Sequence, residues 1–430
     1  MIDPKIIRED YKKVRENLAM RKDAEVDARL EEWIGKDKEW RELKKEVDGL
    51  RAERNKVTEE IKVAKGQGKE VGKLMKKAKE LPGKLKEKEA RMKELEKENY
   101  GLLMRIPNIL HESVPYGKDD TENVEVKKWG DIKEPGFELR HHGELAKELD
   151  VADFERAVKI SGAGFYYLKG DLAMLDLALQ RLALDILIGK GFTPIQPPFM
   201  MNRRAYEGTT DLGDFETVMY KVNDDDLYMV ATSEHPMVSM YMNEILEEKD
   251  LEKPIKMAGM SPCFRKEIGK HGLDERGFFR VHQFNKIEQV VICKPEESWE
   301  VFEEMSRNQE ELIEALEMPY RIVNVCTGDM GVVAAKKFDL EVWSPREKKY
   351  IEIGSCSNCT SYQSVRLNIK YKKGDGTKEY VHTLNNTMIP TTRTLRVLIE
   401  NYQTKEGTIK IPLALHPYMN GKTEIKKAED

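Results

Sequence analysis

One arginine and one glutamate have the spacing needed to hold a phosphate and an amine side by side. Arg265 and Glu267 lie in the segment Phe264-Arg265-Lys266-Glu267, and side chains two residues apart on a strand share one face. A guanidinium binds phosphate oxygens with fixed geometry, and a carboxylate accepts hydrogen bonds from an amine. A charged, glycine-rich loop over 268–279 leads to a second strand, Arg280-Val281-His282-Gln283-Phe284. The alternative interpretation is an ordinary strand pair with charges on its surface.

A further arginine lies where a helix is predicted to begin. Arg393 follows a turn over 384–387 and precedes an amphipathic helix over 395–402. A cation disfavours the N-terminal end of a helix, where the backbone dipole is positive, and a bound anion would remove the conflict. The sequence contains no Walker-type phosphate loop and no dinucleotide fingerprint, so any nucleotide must be held by residues of this kind.

Three segments, in order along the chain, carry a family resemblance. The first is Gly191-Phe192-Thr193-Pro194-Ile195-Gln196-Pro197-Pro198 after a helix predicted over 171–190, and the others contain Arg265 and Arg393. Together they resemble motifs 1, 2 and 3 of the class II aminoacyl-tRNA synthetases. In detail, and over almost the whole chain, the sequence resembles the seryl-tRNA synthetase family. Segments typical of that family are Thr232-Ser233-Glu234, the strand from Arg280 to Glu288, Glu352-Ile353-Gly354-Ser355-Cys356-Ser357-Asn358-Cys359-Thr360, and 398–403.

The resemblance implies a site for ATP. Arg265 would hold the α-phosphate, Arg393 would hold the γ-phosphate, and Glu267 would contact the adenine amino group. The implied ligands of Mg²⁺ are Glu352 and Ser355, since hard oxygen donors suit that ion. The other implied contacts to ATP are Arg280, Val281, Ile353, Gly354 and Phe284, the last stacked on the adenine ring.

The same resemblance implies a site for L-serine, in which Arg265 also takes part. Thr232 and Glu234 would receive the ammonium group, Glu288 would receive the side-chain hydroxyl, and Thr387 matches a further serine contact. Alanine would be rejected because it would leave a buried acceptor unpaired. The carboxylate of serine attacks phosphorus to form seryl-adenylate, and serine then passes to the 3′ end of tRNA(Ser), with tRNA(Sec) as an alternative second substrate. The protein supplies position and counter-charge, not a nucleophile.

Some positions depart from the bacterial form of the family. Asn386, Met388 and Thr392 stand where bacterial members have glycines, and the loop over 270–274 also differs. Thr387 and Gly354 stand where bacterial members have serine. This pattern resembles the archaeal and eukaryotic branch, and it leaves the ATP contacts near Thr392 open.

Residues 36–105 predict an antiparallel coiled-coil arm. Two apolar runs follow heptad spacing on either side of Gly66-Gln67-Gly68, a turn that helices tolerate poorly. Thirty helical residues would reach ~45 Å, and the second helix is predicted to be interrupted at Pro82-Gly83. The members of the two runs are Trp40, Leu43, Val47, Leu50, Val57, Ile61 and Ala64, then Val71, Leu74, Ala78, Leu81, Leu85, Met92, Leu95 and Leu102.

The arm is basic although the chain is acidic. Residues 36–105 hold 22 basic and 15 acidic residues, whereas the whole chain has a net charge of −5. Around the tip, over 61–93, the count is 12 basic and 4 acidic residues. A basic projection favours a polyanion as partner. The family resemblance implies that this partner is tRNA, and the predicted contacts are Lys62, Lys73, Lys76 and Lys77. The alternative is a solvated coiled coil that contacts nothing.

Composition predicts a cytoplasmic protein of two or three domains. The chain has 430 residues, of which 40% are hydrophobic, and it shows neither a signal pattern nor an apolar run of about 18 residues. Its five cysteines do not make a disulfide framework. The pair Cys356-x-x-Cys359 lacks a second ligand pair and is predicted to be metal-free.

The predicted fold is α+β, with a tRNA-binding helical arm over 1–110 and a class II catalytic domain, an antiparallel sheet flanked by helices, over 111–430. Helices are also expected over 3–20 and 141–160, a linker over 107–140 and a hairpin turn over 372–378. The resemblance implies a homodimer, because motif 1 forms the interface in this class. A paralogue without catalysis, a coiled-coil scaffold and a different class II enzyme are the alternatives. The first would have lost Arg265, Glu288, Glu352 or Arg393, the second leaves the motifs unexplained, and the third would lack the arm.

Overall fold

The computed structural model describes residues 1–211, 213, 217–267 and 277–427. The chain divides into two compact units. The arm unit is Asp10–Pro107, and the core unit is Met1–Glu9 together with Asn108–Asp430. Among the described residues, no helix is both long and apolar enough to cross a membrane.

The arm unit contains helices α2 (Tyr11–Ala19), α3 (Ala24–Gly66) and α4 (Gly72–Leu103). Asp10 and Asp23 are the N-cap residues of α2 and α3. Each accepts a hydrogen bond from a backbone N–H of the first turn, a donor that has no partner within the helix. All members of the two heptad runs are buried or half-buried. The ion pairs Lys36–Glu98, Arg51–Glu89 and Glu53–Lys77 join α3 to α4. Because the partner number falls as the first number rises, the helices are antiparallel, as predicted.

Two expectations for the helical region were wrong. The predicted interruption does not occur, since α4 continues through Pro82. A helix of this length keeps its other backbone hydrogen bonds and its packed stripe when a single bond is lost. The helix expected over 3–20 is divided into α1 (Pro4–Glu9) and α2, because the Asp10 side chain caps the second helix at this point.

The described core unit contains the remaining helices and the strands, which we number along the chain. The helices are α5 (His142–Glu148), α6 (Phe154–Ser161), α7 (Gly170–Gly189), α8 (Arg203–Thr209), α9 (Glu234–Ser239), α10 (Ser298–Ala315), α11 (Tyr362–Leu367) and α12 (Thr391–Tyr402). The longer strands are β1 (Val124–Trp129), β8 (Ile255–Phe264), β9 (Gln283–Cys293), β10 (Tyr320–Asn324), β11 (Lys336–Ser344), β12 (Lys349–Asn358) and β15 (His382–Pro390). The shorter strands are β2 (Ala152–Asp153), β3 (Tyr167–Leu168), β4 (Thr193–Ile195), β5 (Met200–Met201), β6 (Tyr228–Met229), β7 (Ile245–Glu247), β13 (Lys370–Lys372), β14 (Lys378–Tyr380), β16 (Ile409–Lys410) and β17 (Glu424–Ile425).

One sheet dominates the core unit. In the described residues it has eight strands, in the order β1-β10-β11-β12-β15-β9-β8-β4, and among these neighbours only β4 and β8 run parallel. The main hydrophobic core lies between this sheet and helices α7, α10 and α12, whose Leu179, Phe302 and Leu395 are fully buried. This agrees with the predicted antiparallel sheet flanked by helices.

Two further segments differ from the sequence-based expectation. The presumed linker over 107–140 contributes β1, which pairs with β10 at an edge of the sheet; its exposed valines carry no core pattern that would reveal it. The helix expected over 141–160 is divided into α5 and α6 by β2, which pairs with β3. The hairpin turn over 372–378 is confirmed by the pairing of β13 with β14.

Candidate active site

The central strands of the sheet bring the predicted functional residues to one place. Glu288 on β9 lies directly opposite Gly259 on β8 and Thr387 on β15. A side chain added at residue 259 would place its Cβ 2.4 Å from the methyl carbon of Met237 and 2.6 Å from the hydroxyl of Ser233. Glycine is therefore required where α9, which begins with Glu234, packs against β8.

Two adjoining cavities lie on this face. The first, the carboxylate cavity, has a volume of about 640 Å³ and contains Glu234 and Glu288. The second, the arginine cavity, has a volume of about 230 Å³ and contains Arg280 and Arg393. The residues that line both cavities are Arg265, Glu267, Lys286, Ser355 and Thr387.

The structure places each predicted serine- and ATP-binding residue on these cavities. Those on the carboxylate cavity are Thr232, Glu234, Arg265, Glu288 and Thr387. Those on the arginine cavity are Arg265, Glu267, Arg280, Val281, Phe284, Glu352, Ile353, Gly354, Ser355 and Arg393. The loop residues 270–274 lie outside the described residues, and Thr392, whose role the sequence leaves open, also lines the arginine cavity.

A buried triad of Lys286, Glu288 and Thr387 lines the carboxylate cavity. Lys286 Nζ lies 2.5 Å from Glu288 Oε2, and the two side chains are 6% and 2% exposed. Thr387 Oγ1 donates to Glu288 Oε2 at 3.1 Å, and Lys286 Nζ donates to Thr387 Oγ1 at 3.5 Å. The charge on Glu288 is therefore balanced inside the protein, and its second oxygen can accept a hydrogen bond from a small hydroxyl.

Glu234 faces the same cavity, and among the residues that the structure describes it forms no ion pair like that of Glu288 with Lys286. Burial raises its pKa to about 7 and the charge of Glu288 adds to this, while a hydrogen bond from Gln363 and the cations Lys286 and Arg265 oppose the shift. Gln363 Nε2 donates to Glu234 Oε1 at 2.8 Å. Because burial disfavours the charged form, an ammonium group bound here would act as the missing counter-charge.

Glu352 and Arg393 form the outer part of the arginine cavity. Arg393, in the first turn of α12, donates to the backbone oxygen of Glu352 at 3.1 Å and to its Oε2 at 3.3 Å. Partial desolvation at this site would raise the pKa of Glu352, but the charges of Arg393 and Lys337 hold it below its usual value. A carboxylate that stays charged, in a cavity that Ser355 also lines, offers with the serine hydroxyl the hard oxygen donors that Mg²⁺ prefers.

Phe284 and its neighbours provide a flat apolar surface with polar groups at the edge. The Arg265 guanidinium lies 5.3 Å from the Phe284 ring centroid, and Arg265 Nε donates to the Ala231 carbonyl at 3.3 Å. Arg280 lies 3.8 Å from Glu267. An aromatic face beside a carboxylate suits a purine that stacks and donates through an exocyclic amine.

Two residues of the site were missed by the sequence analysis. The first is Lys286. It alternates with Phe284 and Glu288 along β9, and alternate residues share a face, so its spacing from Glu288 was a usable signal. Gln363 had no such signal, because it reaches Glu234 from α11. Thr383 Oγ1 in turn donates to Gln363 Oε1 at 2.6 Å, which fixes the orientation of the amide.

The cysteine pair is buried beside the carboxylate cavity. Cys359 Sγ accepts a hydrogen bond from Asn385 Nδ2 at 3.5 Å, while Cys356 Sγ donates to the Phe302 carbonyl at 3.6 Å. Burial raises the pKa of both thiols well above the usual value, and a neutral thiol is a poor metal ligand. In the described parts of the chain, no group of three or more histidine, cysteine or acidic side chains could hold a metal.

The four predicted tRNA contacts lie on the arm unit, and all are exposed. Lys73 and Lys76 are in the first and second turns of helix α4. Lys62 lies 3.8 Å from Glu59, and Lys77 lies 2.5 Å from Glu53. Surface ion pairs of this kind are weak, so these lysines remain available to a phosphate.

Comparisons with known proteins agree on one family. Residues 1–110 match the family model described as the seryl-tRNA synthetase N-terminal domain, and residues 216–402 match the tRNA synthetase class II core domain (G, H, P, S and T). A serine–tRNA ligase of Methanocella arvoryzae is 54% identical over 98% of this chain and 99% of its own length. A crystal structure of seryl-tRNA synthetase from Pyrococcus horikoshii complexed with ATP is 46% identical, covers 100% of both chains and has a TM-score of 0.93. A cytoplasmic serine–tRNA ligase from Naegleria fowleri in complex with AMP is 36% identical, with a TM-score of 0.86 over 97% of this chain and 95% of the other.

Proposed function

The chain belongs to the seryl-tRNA synthetase family, and from this membership we propose which of its residues carry the reaction. It is a ligase that activates L-serine with ATP and transfers serine to the 3′ end of tRNA(Ser). We assign serine to the carboxylate cavity and ATP to the arginine cavity. The observation that carries this assignment is the buried triad of Lys286, Glu288 and Thr387, which offers one acceptor sized for a hydroxyl beside a wall that both cavities share.

Serine is held by its two polar ends. Thr232 and Glu234 receive the ammonium group, and Glu288 with Thr387 receives the hydroxyl. The carboxylate of serine then points to the shared wall, where Arg265 and Lys286 lie between the two cavities. Alanine leaves Glu288 without a partner for its free oxygen, and a buried acceptor without a partner costs ~1–3 kcal/mol.

ATP is held by residues at both ends of the arginine cavity. Phe284 stacks on adenine with Glu267 at the amino group, Arg265 contacts the α-phosphate and Arg393 the γ-phosphate. The further contacts are Arg280, Val281, Ile353 and Gly354. Glu352 and Ser355 would hold Mg²⁺, which when bound neutralises charge on the triphosphate.

The chemistry requires position and counter-charge. A serine carboxylate oxygen forms a bond to the α-phosphorus while the bond to the β-phosphate oxygen breaks, and pyrophosphate leaves. Arg265 and Lys286 place positive charge where negative charge accumulates in this step. A ribose hydroxyl of the tRNA 3′ end then attacks the seryl carbonyl and AMP leaves.

The arm and the assembly complete the proposal. We assign tRNA binding to the basic arm, with Lys62, Lys73, Lys76 and Lys77 as phosphate contacts, over a module that spans 1–110, with the catalytic domain over 111–430. We further propose a homodimer and a cytoplasmic location with no membrane association. The helix that precedes motif 1, α7, carries three exposed apolar residues: Met174, Leu177 and Ile188 are 41%, 57% and 46% exposed. Exposed apolar residues on this helix support a dimer in which a second copy covers them. Charging of a tRNA(Sec) transcript would decide whether a second tRNA is used.

Serine-dependent exchange of pyrophosphate into ATP tests the cavities directly. Purified protein with Mg²⁺ should exchange with serine and far less with alanine or threonine. Arg265→Ala should abolish exchange without loss of secondary structure, and Lys190→Ala, which removes a surface ion pair to Glu311, is the matched control. Equal rates with alanine and serine would contradict the assignment of the carboxylate cavity.

A further inference from the structure

A buried histidine outside the three motifs contacts the end of the motif 2 loop. His142 on α5 is fully buried, and its Nε2 accepts a hydrogen bond from the Phe278 backbone N–H at 3.3 Å. A Cβ at residue 277 would lie 2.6 Å from Nε2, and Gly277 has a φ of +75°. Residue 277 is therefore glycine because the histidine ring occupies the space that a side chain would need.

The other ring nitrogen faces a carboxylate of the motif 3 helix. Because Nε2 accepts a hydrogen bond, the neutral ring carries its proton on Nδ1, and Nδ1 lies 3.7 Å from Glu400 Oε1. Glu400, on α12, also accepts hydrogen bonds from the hydroxyl of Ser344 and, at 3.1 Å, from Arg396 Nε. His142 thus connects the loop end to a carboxylate that is itself held in place.

The contacts continue to the ATP site through one aromatic ring. Phe279 lines the arginine cavity, and its ring centroid lies 4.3 Å from the Arg396 guanidinium and 5.2 Å from that of Arg393. A cation over a ring face is attracted by it. Movement of the backbone at Phe278 would therefore displace the ring on which Arg393 rests.

We propose that His142 is a positioning residue for ATP: it fixes residues 277–279 and, through Phe279, the orientation of Arg393. This inference rests on the proposed function, since it assumes that the arginine cavity holds the triphosphate. The proposal does not involve the carboxylate cavity, because neither His142 nor Glu400 lines it. The effect is consequently expected on ATP and not on serine.

Two near-isosteric variants separate positioning from general packing. The amide oxygen of glutamine can replace Nε2 as the acceptor for Phe278, whereas asparagine reaches only the position of Nδ1. We expect His142→Asn to raise the KM for ATP about tenfold, the order of magnitude of one buried hydrogen bond. His142→Gln should raise it about threefold or less, and the KM for serine should change less than twofold in both.

The measurements are pyrophosphate exchange at varied ATP and varied serine, ATP binding to the purified full chain, and thermal unfolding. His382→Gln is the matched control, because glutamine does not reach the position of Nδ1, which lies 2.8 Å from Ser298 Oγ, and His382 lines neither cavity. It should lower the melting temperature and leave the KM for ATP unchanged. If His142→Asn does not fold, Gly277→Ala takes its place. Its added methyl group would press on the His142 ring from the loop side and should raise the KM for ATP.

A double variant provides the decisive comparison. If His142 acts through Arg393, the effect of His142→Asn on ATP binding should shrink in an Arg393→Ala background, because coupled residues are not additive. Equal losses from His142→Asn and His142→Gln, equal changes in both KM values, or full additivity with Arg393→Ala would overturn the proposal. Wild-type exchange with serine, measured alongside, shows separately whether the proposed function holds.

Discussion

If Glu234 receives the serine ammonium group as proposed, serine binding should depend on pH in a defined direction. Its pKa of about 7 in the folded protein lies above its ordinary value, so folding favours the protonated form. Stability from this group is present at acid pH and is lost as the pH rises through about 7. Under the proposed assignment, serine binding should have the opposite dependence, because the ammonium group requires the charged carboxylate.

We therefore expect the KM for serine to rise about tenfold for each pH unit below about 7. His235 beside it has a pKa lowered to about 3, chiefly by burial, and stays neutral in this range. Glu234→Gln should raise the KM at all pH values and remove this dependence. A wild-type KM that stays flat down to about pH 5.5 would contradict the assignment of Glu234.

Lys286 should matter for both stability and activity, because its removal leaves Glu288 as an uncompensated buried charge. Lys286→Met should lower the free energy of unfolding by about 3–5 kcal/mol and reduce exchange at least a hundredfold. Lys256→Met is the control, since Lys256 lies 2.6 Å from Glu304 and lines neither cavity. If the lysine is only structural, kcat per folded molecule will match that of the wild type.

At the scale of elements, the proposed role of the arm should separate the two half-reactions. Replacement of residues 36–105 by a short loop should leave serine activation nearly unchanged, because the residues lining both cavities come from the core unit. Transfer to tRNA should fall strongly through weaker binding. Exchange and tRNA charging on the same preparation measure the two effects.

The charge on the arm tests the same element more finely. Neutralising Lys62, Lys73, Lys76 and Lys77 should flatten the salt dependence of tRNA binding, because each phosphate contact that is lost reduces the number of counterions released on binding. Replacing an equal number of exposed lysines of the core unit, such as Lys372 and Lys378, is the control. If the protein in which residues 36–105 are replaced by a short loop charges tRNA normally, the arm is a solvated coiled coil that contacts nothing.

At the scale of the whole molecule, the exposed apolar residues of α7 predict the assembly. Leu177→Glu should convert a dimer into monomers, because it places a charge in an apolar interface. Sedimentation of both proteins measures the change, and Arg181→Glu, one turn further along the same helix, tests whether charge alone is responsible. A wild-type protein that sediments as a monomer would contradict the proposed dimer.

The sequence by itself determined the features that depend on local spacing. Heptad runs predicted α3 and α4, and the motif residues identified the family. Spacing by two placed Arg265 and Glu267 on one face, and both line the two cavities. These signals are strong because a helix or strand repeats at a fixed period, so a few residues define a face. Pro82 was misjudged for the opposite reason: a local rule was overridden by the packing of a long helix.

Only the tertiary structure decided which side chains meet across distant elements. Gln363 reaches Glu234 from α11, β1 joins an edge of the sheet, and His142 meets both the loop end at Phe278 and Glu400 on α12. Such contacts join residues more than a hundred positions apart, and no periodicity connects them. These contacts form only when the folded chain brings distant elements together. Burial in that fold raises the pKa of Glu234, and the packing of α12 beside β12 positions Arg393.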